Sequence, residues 1–115
     1  DDYFIQLLKR FSTGVDWSNF AEYEKNIWLF QLHIFEIPFY YIEYGISQLG
    51  ALSIYKNYKK IGKEETLSNY ENFLELGYKV PVDKLYEAAG IKFDFSSKYV
   101  CELVKFVEAE LAKID

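Results

Sequence analysis

One short segment of this 115-residue chain gathers side chains that could act on a peptide bond. Residues 31–45 contain a single imidazole, His33, and three phenols, those of Tyr40, Tyr41 and Tyr44. On a helix, Tyr40 and Tyr44 are spaced i, i+4 and Tyr41 and Tyr44 are spaced i, i+3, so each pair shares a face. Phenols at a cleft wall can donate hydrogen bonds to a developing oxyanion. An imidazole can do the same or hold a peptide carbonyl.

The same tyrosines also have a simpler interpretation as core residues. Aromatic side chains at helical spacing usually pack in the interior of a protein. Their hydroxyl groups would then bond to the backbone or to Glu36 and Glu43. The residues alone favour this interpretation over a catalytic one.

Other catalytic arrangements find less support in the sequence. Cys101 falls between Val100 and Leu103 on the apolar stripe of the last predicted helix, which predicts an inert, buried thiol rather than a nucleophile paired with His33. His33 and Glu36 are spaced i, i+3 but supply at most two ligands, whereas zinc sites use three or four. No Gly-rich phosphate loop is present. We therefore expect no metal site built from this chain alone.

Hydrophobic periodicity predicts an all-α fold that forms a single helical unit over residues 1–115. Candidate N-caps, prolines and glycines mark where the helices begin and end. We expect about six helices, near residues 3–11 (ended by Ser12-Thr13-Gly14), from Asp16 or Ser18 to Phe35, 38–58, 64–76 with Gly77 as a C-terminal stop, 81–90, and one that begins after Asp94 or Ser96.

The third predicted helix, from Pro38 to Tyr58, differs from the others because apolar residues cover nearly its whole circumference. A helix that is apolar all round is normally buried on all sides. The small residues Gly45, Gly50 and Ala51 would let a neighbouring helix approach closely. The chain offers few elements to cover such a helix. We therefore expect part of its aromatic surface to stay exposed and the chain to self-associate, through this helix or by exchange of a terminal one.

Composition excludes several classes of function. The net charge is −5, with no basic patch to bind nucleic acid and no polybasic tail to bind anionic lipid. The longest uncharged run, residues 44–55, has 12 residues, which is too short for a membrane span, so we expect a soluble protein. A single cysteine excludes an internal disulfide. The chain contains no methionine and begins Asp-Asp-Tyr, which suggests a piece of a longer protein.

The stretch QLHIFEIPFYYIEYGISQLGALSIYKNYKK resembles the C-terminal part of oligoendopeptidase F, a zinc metallopeptidase of the thimet oligopeptidase group. The similarity continues through LSNYENFLELGYKVPVDKLYEAAGIKFDFS and into the last helix, so it covers nearly the whole chain. The resemblance implies a cytoplasmic, all-helical peptidase that cuts short peptides in a deep channel. It also implies a zinc ion bound by an HExxH helix and a later glutamate.

No HExxH motif occurs in this sequence, so the resemblance implies that the zinc ligands and the general base lie upstream. In this region the family has a histidine and tyrosines that face the zinc, bind the substrate backbone and stabilise the tetrahedral intermediate. The histidine matches His33, and the tyrosines match among Tyr40, Tyr41 and Tyr44. The Gly-rich link of the thimet-type relatives is here Ile34-Phe35-Glu36-Ile37-Pro38. Which tyrosine has which role therefore stays open, with Tyr44 our first choice as oxyanion donor.

The sequence thus predicts a substrate-binding portion of a zinc peptidase that is inactive alone and binds no zinc itself. Two other classes of function remain open. The chain could be a free-standing helical adaptor whose aromatic groove binds a partner helix, or an oligomerisation module that makes no demand on His33. An HExxH motif upstream in the same reading frame would distinguish the peptidase from both.

Overall fold

A computed structural model describes residues 2–11 and 14–114, and all regular secondary structure in these ranges is helical. The all-α prediction is therefore confirmed. Ser12 and Thr13, predicted to end the first helix, lie outside the described residues. The α-helices are Asp2–Phe11 (α1), Ala21–Asn26 (α2), His33–Glu36 (α3), Ile42–Ile61 (α4), Lys63–Leu76 (α5), Val82–Ala88 (α6) and Ser97–Leu111 (α7), and a 3₁₀-helix spans Ile27–Phe30. None of the helices described is long and apolar enough to cross a membrane.

The sequence predicts one helical unit, whereas contacts divide the chain into two compact units, Asp1–Tyr41 and Ile42–Asp115. We call them unit 1 and unit 2. Each has its own set of packed helices: α1 contacts α2 in unit 1, while α4 contacts both α5 and α7 in unit 2.

Unit 1 contains short helical pieces where the sequence predicts one helix ending near Phe35. The 3₁₀-helix follows α2 directly, and the Gln31 N–H donates to the carbonyl of Trp28 instead of continuing an α-helix. The run Ile27-Trp28-Leu29-Phe30 places large apolar side chains in every direction, so no single face can direct a long amphipathic helix. The tertiary context therefore decides where this segment bends.

The predicted N-caps of that helix are also wrong. Phe20 occupies the N-cap position of α2 and makes no side-chain capping bond. Asp16 instead accepts a hydrogen bond from the backbone N–H of Ser18 at 2.9 Å, which closes a local turn. This backbone bond lowers the pKa of the Asp16 carboxyl from its ordinary value. Asp16 and Ser18 thus shape the loop before α2 rather than the helix itself.

The central helix of unit 2 is α4, which begins four residues later than the sequence predicts. Phe39 has φ +64°, a left-handed conformation that no α-helix can contain, so Pro38, Phe39 and Tyr40 form a turn. At its other end, α4 is separated from α5 by Gly62 alone, with φ +90°. A glycine adopts this conformation without the steric penalty of a side chain. The two helices can therefore form a tight antiparallel pair.

Packing between α4 and α7 combines one buried apolar side chain with a short chain of hydroxyl groups. Leu103 of α7 is fully buried. The Ser53 hydroxyl donates to the Leu49 carbonyl at 2.7 Å and lies 2.9 Å from the Tyr99 hydroxyl. Since Ser53 has one hydroxyl proton, Tyr99 is the donor in the second bond. Both polar side chains are satisfied, so the contact between the helices has no unpaired hydroxyl.

Two ion pairs flank this contact at the surface. Lys56 pairs with Glu102, and the Lys59 ammonium lies 2.9 Å from the Glu110 carboxylate. Glu110 also accepts a hydrogen bond from Lys113. Hydrogen bonds from Lys113 and Lys59 lower the pKa of Glu110 to about 2. Each pair on its own contributes little to stability because solvent screens it.

On the other side of α4, close helix packing depends on a glycine. A Cβ atom on Gly50 would lie 3.0 Å from the Tyr86 hydroxyl of α6. That hydroxyl donates to the Ile46 carbonyl at 3.2 Å. Burial is the largest cause that raises the pKa of Tyr86. The predicted role of Gly50 in close approach is therefore confirmed, whereas Gly45 has no atom within 4 Å of such a Cβ.

The third predicted helix is not covered on all sides, and aromatic residues of it are exposed as expected, among them Tyr44 at 50%. In α4 only Gly50 and Ser53 are buried, and Ile42 is 66% exposed. Neighbouring helices in unit 2 pack along the middle and the C-terminal half of α4, through residues such as Ser53 and Tyr55. The first turn of α4 extends past these contacts, whereas Tyr86 of α6 still reaches Ile46 in the second turn.

The burial of Cys101 is also predicted wrongly, because its side chain is exposed. The face of α7 that contacts α4 carries Tyr99, Leu103 and Phe106. Cys101 lies two residues from Leu103, which is ~200° around the helix axis. It therefore points away from the contact. Helical periodicity places Val104 and Leu111 on the apolar stripe as well, but both are exposed.

Candidate functional site

The candidate site is built on the short connection from α3 to the turn at Pro38. His33 is the first residue of α3, and the Ile37 N–H donates to the His33 carbonyl at 3.3 Å, which closes the single turn of that helix. The Tyr40 N–H then donates to the Ile37 carbonyl at 3.2 Å. These two successive turns reverse the chain, so the residues after Pro38 return towards His33.

Two tyrosine rings contact the imidazole as a result. The rings of His33 and Tyr40 are stacked, with centroids 5.6 Å apart and an angle of 8° between their planes. The Tyr41 ring meets the imidazole edge-on at 6.0 Å and 63°. His33 is half-buried, while Tyr40 and Tyr41 are exposed. The three side chains form an aromatic cluster, which we call the His33 cluster.

Tyr44, our first choice as oxyanion donor, belongs to unit 2, in the first turn of α4. Its side chain is 50% exposed, and its carbonyl accepts a hydrogen bond from the Ser47 hydroxyl at 3.1 Å. Tyr40 and Tyr41 precede α4, so the helical spacings that predict shared faces with Tyr44 do not apply. The structure therefore groups His33 with Tyr40 and Tyr41 and assigns Tyr44 to a separate element.

Metal ligands are not gathered at this cluster. Within residues 2–11 and 14–114, no group of three or more His, Cys, Asp and Glu side chains is close enough to hold a metal ion. Glu36 closes α3 three residues after His33, and its side chain is exposed. The cluster therefore offers hydrogen-bond donors and aromatic faces.

A second feature of unit 1 escaped sequence reasoning. An apolar groove of about 580 Å³, which we call the aromatic groove, is lined by Trp17, Phe20, Tyr23, Ile27 and Phe30. The high density of aromatic residues between positions 17 and 30 is the signal that could have identified it. Their spacing of three or four residues places them on one face of the predicted helix, but it does not indicate that this face forms an open groove.

What the His33 cluster can do chemically follows from its donors. A neutral imidazole donates one hydrogen bond and accepts one, and each phenol can donate one. Such groups can bind the carbonyl oxygens of an extended peptide, while the ring faces contact its side chains. Comparisons of the chain with protein-family models, with curated proteins and with solved structures found no match.

Proposed function

We propose that this chain is the C-terminal, substrate-binding portion of a cytoplasmic zinc metalloendopeptidase similar to oligoendopeptidase F, which hydrolyses short peptides. The observation that carries the proposal is the His33 cluster, an imidazole stacked on Tyr40 at 5.6 Å and met edge-on by Tyr41. The resemblance of residues 31–60 to that family supports the same assignment. By itself the chain should hydrolyse nothing.

In this proposal the described residues bind and orient the peptide. The imidazole of His33 donates a hydrogen bond to a substrate carbonyl, and a tyrosine hydroxyl donates to the oxygen that gains negative charge during attack. Stacking on Tyr40 limits the rotation of the imidazole, so less entropy is lost when the peptide binds. The loss of one such oxyanion donor typically lowers turnover by ~10²–10³.

The described residues of this chain do not fit the zinc site of the proposed parent, because no three of their potential ligands lie close enough together to hold a metal ion. The proposal therefore assigns the metal and the general base to the upstream part of the enzyme. A calorimetric titration of the purified chain with zinc tests this division. We expect weak binding or none, because His33 is the one histidine in the sequence. Tight binding of one zinc per monomer would contradict it.

The direct test uses the intact enzyme that contains this chain, with a quenched peptide as substrate. His33→Ala should lower kcat/KM by ~10² or more, since a substrate hydrogen bond is lost. Tyr44→Phe should lower kcat with little change in KM if its hydroxyl acts mainly in the transition state. Tyr40→Phe and Tyr41→Phe decide which phenol donates. Tyr78→Phe, at a fully exposed tyrosine of unit 2, is the matched control.

Parental rates in His33→Ala and in all three site tyrosine variants would exclude the assignment of the site. The adaptor is the second candidate function, and the aromatic groove favours it, because a partner helix could place an apolar face there. An adaptor requires no HExxH motif in the same reading frame. If such a motif is encoded upstream, the peptidase is supported and the adaptor is not.

A further inference from the structure

Phe39 combines two unfavourable features in one residue. Its side chain is 94% exposed, and its backbone has φ +64°. Among the residues described, it is the one non-glycine residue with a positive φ. A bulky residue in this conformation is a genuine outlier, and such strain persists where the surrounding structure or a function requires it. Here the strained turn holds an aromatic ring out into solvent.

The aromatic groove provides a site of suitable chemistry for such a ring. Its lining is almost entirely apolar, and its volume of about 580 Å³ exceeds that of a phenylalanine side chain. A second groove of about 510 Å³ adjoins it and shares Tyr23 and Phe30. Both Phe39 and the groove belong to unit 1, yet Phe39 does not occupy the groove of its own chain, since almost all of its surface is exposed.

Unit 1 also lacks a core of its own. None of its described residues is buried, although α1 and the 3₁₀-helix carry many large apolar side chains. Segments of about 40 residues seldom fold without a partner, a metal ion or disulfides. An apolar surface of this kind needs to be covered, and the residues of unit 1 leave it open.

The accessible area of the chain is large enough for a stable interface. The total is 9390 Å². Two fully separate compact units with the masses of units 1 and 2 would expose only ~7,800 Å² together. The excess of roughly 1,500 Å² is larger than the ~800 Å² per partner that a standard interface buries. This comparison holds wherever the two units lie relative to each other.

We infer that this chain forms a two-fold symmetric dimer in which Phe39 of each copy inserts into the aromatic groove of the other. A two-fold interface uses the same surface on both copies, so it needs a projecting group and a matching recess on one molecule. Unit 1 has both. The inference goes beyond the proposed function and does not rest on it, because it is argued from Phe39 and the aromatic groove alone.

Charge on α2 is compatible with this pairing. Glu22 lines the adjoining groove, and Lys25 follows it at i+3, so both lie on one face of the helix. A two-fold axis beside this face lets Lys25 of one copy approach Glu22 of the other.

The test is sedimentation equilibrium of the full chain from about 1 to 100 µM, the range in which a moderate dimer dissociates. Phe39→Gly removes the inserting ring and places at this position the residue that best tolerates a positive φ. It should therefore keep or raise the helix content while the dissociation constant increases at least ~30-fold. Tyr23→Glu, in the groove, should have the same effect. Tyr78→Gly, which removes a fully exposed ring of unit 2, should not.

A second measurement remains informative if the groove variant fails to fold. Hydrogen exchange of wild-type residues 17–41 should slow as the concentration rises through the dimer transition, because unit 1 gains its core on pairing. Three results would overturn the inference. They are a wild-type chain that stays monomeric at every concentration, a Phe39→Gly variant that pairs like wild type, and exchange in residues 17–41 that does not depend on concentration. A monomeric wild-type chain would mean that a different partner, such as the rest of a peptidase, covers the apolar surface of unit 1.

Discussion

Replacement of Leu103 by alanine tests how far unit 2 depends on a single side chain. Leu103 has 0% of its surface exposed, and it is the one large side chain in the described residues that is fully buried. The substitution removes three carbon atoms from the contact between α4 and α7. At ~0.8 kcal/mol for each buried carbon, the lost transfer free energy is ~2.4 kcal/mol. The cavity left behind brings the expected loss to about 3 kcal/mol.

This loss is large relative to the stability that unit 2 can have. Domains of its size unfold with roughly 4–11 kcal/mol, so the substitution removes a quarter or more of the total. Thermal unfolding followed by circular dichroism at 222 nm is a suitable assay, because α4–α7 contain most of the helical residues. A loss of ~3 kcal/mol lowers the Tm by roughly 12–24 °C in a domain this small.

Val104→Ala is the matched control, since Val104 is the next residue of α7 and is exposed. It should change the free energy of unfolding by less than ~0.5 kcal/mol. A Leu103→Ala variant that loses under 1 kcal/mol, or no more than Val104→Ala, would refute the packing of α7 described here.

Three further predictions concern unit 2. Gly45→Ala should stabilise the chain by ~0.5–1 kcal/mol, because a Cβ there meets no other atom and alanine favours a helix. Gly50→Ala should lose this gain, because its Cβ would crowd a tyrosine hydroxyl of α6. Hydrogen bonds from Lys113 and a second lysine lower the pKa of Glu110 from 4.5 to about 2, so their stabilisation is present above pH 4.5 and is lost as the pH falls towards 2. Ser96→Ala should cost ~1 kcal/mol, because the serine hydroxyl accepts the Tyr99 N–H at the start of α7.

Each of these predictions has a measurement and a control. Urea denaturation of Gly45→Ala and Gly50→Ala gives their difference directly, and equal stabilities would contradict the close approach at Gly50. The Tm of Glu110→Gln should depend less on pH between 4.5 and 2 than that of wild type. Glu71→Gln removes an exposed carboxylate from a different helix, α5, and is the control. Ser96→Thr keeps the capping oxygen and should restore most of the stability that Ser96→Ala loses.

The sequence predicts the helices of unit 2 where the signals are local. Gly77 has the positive φ expected of a C-terminal stop, Pro81 precedes α6, and the Ser96 hydroxyl caps α7. Each signal depends on the conformation or hydrogen bonding of one or two residues, which tertiary contacts do not alter. The all-α class follows from the same periodicity that places these helices.

Predictions that depended on tertiary contacts were less successful. Periodicity alone puts Cys101 on the apolar stripe of α7, but the partner helix contacts the face around Leu103 and leaves the thiol exposed. Because proline often begins a helix, the sequence predicts that α4 starts at Pro38. The left-handed turn at Phe39 delays it to Ile42. Neither outcome is encoded in a local propensity.

In the candidate site, the sequence predicts which residues take part but not how the fold brings them together. Residue types and their close spacing identify His33, Tyr40 and Tyr41, which the structure brings together. The predicted helical spacings pair Tyr40 and Tyr41 with Tyr44. In the structure, two turns instead reverse the chain and bring Tyr40 and Tyr41 to His33. Tyr44 lies in the first turn of α4, a helix of the other unit, so its predicted helical pairing with Tyr40 and Tyr41 does not form. The ring stacking of His33 and Tyr40 had no sequence signal of its own.

The hydrogen bond between Ser53 and Tyr99 joins residues that are 46 positions apart, and the bond between Tyr55 and Glu110 joins residues 55 apart. By contrast, α4 and α5 are consecutive helices joined by one glycine, so their contacts close a short loop. Closing the longer loop costs more chain entropy, and such contacts tend to form late in folding. We therefore expect substitutions at Ser53 and Tyr99 to accelerate unfolding with little effect on the folding rate, and those at the α4–α5 turn to slow folding. In this order of events, α7 packs last, onto a helical hairpin of α4 and α5 that has already formed.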